Sequence, residues 1–204
     1  MTREAVLAPV CVAVWAAAAA SSARLGIWLG LGGCAIALGL VAWTLDRARL
    51  RVELRPTLRS VVAGTVVGVA MSAATHLLYP PVARAAPFVA GDTARLYAAF
   101  RATSLPVAAL VLVPVVLGEE LVWRGVVQGA IVRRAGPRAG VGLAALVYAL
   151  AHGPAGAPLL VVVALGCGLV WGALRAATGS LVPSLVAHLV WDTLVLLAWP
   201  LDAR

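Results

Sequence analysis

The chain contains no lysine, only eight acidic residues, and charged residues at just 12% of its 204 positions. Soluble globular domains carry about a quarter charged residues, so a water-facing surface of ordinary make-up is excluded. The three cysteines, Cys11, Cys34 and Cys167, each lie inside an apolar run and show no paired spacing. That excludes a disulfide framework and a cysteine metal cluster, and leaves them as small core residues. H-E-x-x-H, G-x-G-D and G-x-S-x-G are also missing, which argues against the zincin-like, aspartyl and serine hydrolase solutions.

What is present is apolar. Hydrophobic residues make up 63% of the chain and the mean hydropathy is +1.01, which predicts an all-α polytopic membrane protein. The net charge of +8 comes from sixteen arginines. These sit between apolar runs rather than along one surface stripe, so they read as topology signals and contacts to anionic lipid, with the lipid bilayer as partner and no nucleic acid.

The apolar runs are residues 5–22, 25–45, 60–79, 105–132, 139–152, 158–174 and 181–200, a bundle of about seven transmembrane helices. The first run is expected to be a retained span. Residues 46–59 hold five arginines, so this segment, and the amino terminus two spans before it, are expected in the cytoplasm. The basic turn 133–138 is expected on the same side. Residues 80–104, with Pro80-Pro81, Pro87 and Gly91-Asp92, are expected as an external loop with a short interfacial helix near Thr93 to Phe100. The organisation is then residues 1–104 as amino-terminal spans and external loop, and residues 105–204 as the core of a single membrane domain. Gly26-x-x-x-Gly30, Gly64-x-x-x-Gly68 and Gly168-x-x-x-Gly172 signal close helix packing. Pro114 predicts a kink one turn before the charges that follow it.

Those charges are the chain's most informative feature. Glu119, Glu120 and Arg124 interrupt an apolar run, and each ionisable residue at mid-membrane costs roughly 2.5–3.5 kcal/mol, so they must face protein or water in a polar intramembrane cavity. Glu120 and Arg124 are four apart and form a structural ion pair, whereas Glu119 points about 100° away from Glu120. A carboxylate without a counter-ion in a low-dielectric site suits general acid–base work. His152 closes a segment too short to cross alone, ended by Gly153-Pro154. His188 and Asp192 are four apart on the last run, so the carboxylate can orient the imidazole. A rise of 1.5 Å per residue from the neighbouring basic or polar turns puts these groups at depths of roughly 12 to 21 Å, compatible with one shared cavity. His76, near the end of the third run, reads as an interfacial or hydrogen-bonded histidine.

These residues form three motifs, Glu119-Glu120-x-x-x-Arg124, Tyr148-x-x-x-His152 and His188-x-x-x-Asp192. In that order and spacing the chain resembles the CAAX prenyl endopeptidase and bacteriocin-processing (CPBP, or Abi) intramembrane proteases over about residues 105–200, including the turn Thr178-Gly179-Ser180-Leu181. Tyr148 and Trp123 stand where that family usually has phenylalanine. The resemblance implies peptide-bond hydrolysis within a cell membrane, such as a bacterial inner membrane, on a peptide or membrane-anchored protein. It implies Glu119 as base on a water that His152 positions, and His188, oriented by Asp192, as oxyanion stabiliser. The alternative is a divalent metal such as zinc held by Glu119, His152 and His188. Outside catalysis, the same residues are compatible with a non-catalytic membrane scaffold or bacteriocin self-immunity protein, or with a proton-coupled transporter. Against transport, no inverted repeat is visible in the sequence.

Overall fold

The computed structural model describes residues 3–203, with side chains described for residues 6–202. The described residues fold into helices, with no strand among them. Ten α-helices follow in order: α1 (Arg3–Leu25), α2 (Gly33–Leu45), α3 (Arg47–Glu53), α4 (Leu58–Ala85), α5 (Pro87–Phe100), α6 (Leu105–Glu120), α7 (Gln128–Ala135), α8 (Pro137–His152), α9 (Pro158–Thr178) and α10 (Val182–Asp192). Wide π-helical turns, Trp28–Gly32, Leu121–Val127 and Thr193–Ala198, lead into α2, join α6 to α7 and extend α10. Five stretches are long and apolar enough to cross a membrane: Val6–Leu25, Trp28–Leu45, Leu58–Ala85, Leu105–Ala135 and Pro158–Thr178. With the shorter helices α8 and Val182–Ala198, they make up the expected seven-helix bundle of an all-α, multi-pass membrane protein.

Glycine lets these helices touch. A Cβ on Gly118 would lie 2.2 Å from the Ala35 carbonyl oxygen, and one on Gly39 would lie 2.6 Å from the Gly118 Cα, so α2 and α6 meet backbone to backbone. Gly64 and Gly68 do the same for α4 against α10, where a Cβ would lie 2.6 Å from the Pro183 carbonyl and 2.7 Å from that of Ala187. Gly26 plays a different part from the packing role expected of it. Its φ is +77°, and it ends α1 before the wide turn begins.

Residues 80–104 also depart from the loop expected there. α4 continues through Pro80 and Pro81 to Ala85, and α5 follows almost at once. Proline removes a hydrogen bond and crowds the preceding turn but fits a helical φ, so two near a helix end are tolerated. The rest of the segment is held by tertiary bonds that no local pattern announces. Asp92, on α5, accepts from the Leu159 backbone N–H at 3.0 Å in the first turn of α9, and pairs with Arg95. The Tyr97 hydroxyl donates to the Val195 carbonyl at 2.5 Å and accepts from the Leu201 N–H at 3.1 Å. α5 is thereby fastened across the start of α9 and the end of α10.

At the other end of α9, Arg175 pairs with Glu53 at 2.7 Å. Glu53 also pairs with Arg49 at 3.0 Å, and its carbonyl accepts from the Leu181 N–H and the Ser180 hydroxyl, both at 2.9 Å. The basic helix α3 is thus clamped to the α9–α10 turn. α3 and α5 grip opposite ends of one helix, about 24 Å apart from Leu159 to Arg175 at 1.5 Å per residue.

Candidate active site

The site residues arrive on three interrupted helices. Glu119 and Glu120 end α6, and the chain then widens into the turn Leu121–Val127 that carries Arg124. Pro114 lies within α6, and the wide turn follows the carboxylates. π turns of this kind re-aim the residues next to them and are frequent at functional sites. α8 stops at His152 because Gly153-Pro154 enters a short 3₁₀ turn and Gly156 turns the chain at φ +76°. The helix end expected from the sequence at Gly153-Pro154 is therefore present. His188 and Asp192 close α10.

Glu119, Tyr148, His152, His188 and Asp192 line one cavity of about 430 Å³. The four residues expected to be catalytic therefore share a wall, and Tyr148 joins them. Most of the remaining lining is apolar and comes from α4, α5, α9 and the wide turns before α2 and after α10, including Leu78, Leu96, Phe100 and Val163. The chamber thus has a polar end and a long greasy end.

At the polar end Glu119 accepts a hydrogen bond from the Tyr148 hydroxyl at 2.9 Å and, among the described residues, forms no ion pair. Glu120 is fully buried beside it and does more than pair with Arg124. Its Oε1 lies 3.5 Å from an Arg124 terminal nitrogen and 3.0 Å from His188 Nδ1. His188 Nε2 lies 3.4 Å from Asp192, so the imidazole sits between two carboxylates. Its closer partner is Glu120, whereas the sequence spacing offered only Asp192. The ring stacks on Trp171, centroids 3.7 Å apart. Arg124 is buried with its guanidinium over Tyr148 at 4.6 Å and Trp171 at 5.1 Å. The rings' negative faces add to the attraction of Glu120.

His152 is held from two sides. Its Nδ1 lies 2.7 Å from the Tyr148 carbonyl, and its Nε2 lies 3.2 Å from the Trp15 indole N–H. An indole nitrogen only donates, so Nε2 is the acceptor and Nδ1 carries the proton. Trp15 comes from α1 and carries no sequence mark that separates it from any other tryptophan in an apolar run. Tyr148 is legible in the sequence as a packed ring; its hydroxyl contact to Glu119 is not.

A divalent metal held by Glu119, His152 and His188 needs a lone pair from each, aimed at one point. The structure engages Glu119 with Tyr148, His152 Nε2 with Trp15, and both His188 nitrogens with carboxylates. Among the described residues no three His, Cys, Asp or Glu side chains form a metal-binding group. This arrangement does not fit a metal centre.

Residues 101–194 match the family model described as Type II CAAX prenyl endopeptidase Rce1-like. No curated protein and no solved structure matches the chain. The matched stretch begins just before α6 and ends just past α10, taking in Glu119, Glu120, Arg124, Tyr148, His152, His188 and Asp192 and leaving out α1 with Trp15. Through this core, the part of the chain that supplies the polar end of the cavity, the chain is similar to the Rce1-like type II CAAX prenyl endopeptidases.

Proposed function

We propose that the protein hydrolyses peptide bonds within the membrane by means of a water activated by Glu119. The observation that carries this reading is the cavity itself, with two carboxylates and two histidines at the end of a mostly apolar chamber. The greasy end suits a membrane-anchored peptide or protein bearing an apolar tail, and the family's name points to a prenylated carboxy terminus. The scissile carbonyl then comes to rest beside Glu119.

Glu119 has the attributes of a general base: it reaches the cavity, lacks a counter-ion and is oriented by the Tyr148 hydroxyl. It takes a proton from the water as the water oxygen attacks the carbonyl carbon. The proton then passes to the departing amine nitrogen as the C–N bond breaks. Negative charge developing on the carbonyl oxygen is met by His188. Its 3.4 Å contact to Asp192 is looser than the 3.0 Å contact to Glu120, so Nε2 is the donor that a substrate oxyanion can draw away. Glu120 and Asp192 hold that ring in place. Glu120 and Arg124 stay behind the wall as a structural pair.

The test is cleavage of a prenylated reporter peptide by purified protein in nanodiscs. Glu119→Gln is nearly isosteric and should fold as the wild type does while losing about 10²–10⁴-fold in kcat, the usual contribution of a general base. Near wild-type cleavage by this variant would remove Glu119 from the mechanism and favour a non-catalytic scaffold for the fold.

A further inference from the structure

The hydrogen bond from Trp15 to His152 lies outside anything the family match covers, and it bears on the chemistry. His152 has two ring nitrogens, and the structure occupies both, Nδ1 with the Tyr148 carbonyl and Nε2 with the Trp15 indole. A lone pair already accepting from an indole is not available to a water. Trp15 is fully buried, packed edge-on against Trp123 with centroids 5.4 Å apart and against His152 at 5.5 Å. Its contact is therefore not that of a surface side chain passing through. Trp123 and Trp171 bury their indole N–H groups without a protein acceptor, whereas Trp15 directs its own at this imidazole.

We propose that Trp15 is a positioning residue of the active site, supplied by α1. It fixes His152 in the Nδ1–H tautomer and keeps Nε2 occupied until substrate shifts the indole aside and a water takes its place. The first helix thus sets how readily His152 can orient the nucleophile, and a chain with an empty chamber is held back from hydrolysing whatever drifts near. The inference rests on the protease reading above. It explains why a site whose catalytic-type residues all lie beyond residue 100 takes one of its hydrogen bonds from residue 15.

Two variants remove the donor: Trp15→Phe, and replacement of Trp15 by 3-benzothienylalanine, which keeps the indole shape without its N–H. The second keeps the test valid if the first fails to fold. In protein labelled with ¹⁵N-histidine, the wild-type His152 should show a protonated Nδ1 and a hydrogen-bonded Nε2, and the benzothienyl variant should lose the hydrogen-bond shift at Nε2. With the prenylated reporter peptide, kcat/KM of that variant should rise by about threefold or more, because substrate no longer has to break the bond. A purely structural tryptophan predicts no gain. Unchanged or lower kcat/KM in a variant whose wild-type parent cleaves in a Glu119-dependent manner overturns this inference alone. A wild type that cleaves no peptide overturns the protease reading and this inference with it.

Discussion

Replacing Glu120 by glutamine tests how the buried charges are held. Glu120 has no solvent exposure, and its Oε1 faces Arg124 at 3.5 Å and His188 at 3.0 Å. Glutamine keeps the shape and an acceptor oxygen but leaves the Arg124 guanidinium without a counter-ion in a low-dielectric wall. Breaking a buried pair from one side costs about 3–5 kcal/mol. For a chain of this size each kcal/mol moves Tm by about 2–4 °C, so the expected fall is about 6–20 °C. The assay is thermal unfolding of purified protein in one detergent, followed by tryptophan fluorescence, alongside steady-state abundance in membranes. The double variant Glu120→Gln with Arg124→Gln should recover only part of the loss. It removes the stranded charge, but it also removes a guanidinium that lies over Tyr148 and Trp171, a stacking worth up to about 2 kcal/mol when desolvated. A Glu120→Gln protein that melts within about 2 °C of the wild type would refute the assignment of this pair as a structural element.

Two further outcomes follow from the packing and the topology. Gly118→Ala places a methyl 2.2 Å from the Ala35 carbonyl, and because the obstacle is backbone, α2 and α6 must move apart; the expected cost is about 1–3 kcal/mol, and an unchanged melting temperature would contradict the close approach described here. Cysteines introduced at Arg51 and Gly91 should react with an impermeant thiol reagent from opposite sides of the membrane, since α3 and α5 clasp opposite ends of α9, and labelling from one side only would reject the arrangement.

Much of the site was legible because membrane burial makes polar residues conspicuous. Glu119, His152, His188 and Asp192 stand out in apolar runs, and counting 1.5 Å per residue from the nearest turns is enough to place them at compatible depths. Gly153-Pro154 announces the end of α8 for an equally local reason, as no helix passes easily through that pair. What stayed hidden depends on residues distant in sequence. Helical spacing reveals partners four residues apart, so it pairs Glu120 with Arg124 and His188 with Asp192. The tighter contact of Glu120 to His188 spans 68 positions, and that of Trp15 to His152 spans 137. α5 was hidden too, because Pro87 and Gly91-Asp92 read as loop chemistry while the bonds that order the segment come from Leu159, Val195 and Leu201. The wide turn after Glu120 has no residue signature at all.

The 68-position separation of Glu120 and His188 is also an interval of time. A chain elongating at about 5–20 residues per second places α6 in the bilayer roughly 3–14 seconds before α10 has been made. Through that interval Glu120 lacks His188, and Arg124 is the cation four residues away. An ion pair formed at that stage would carry two charges into the lipid as one nearly neutral unit, before the last helix arrives to finish the site.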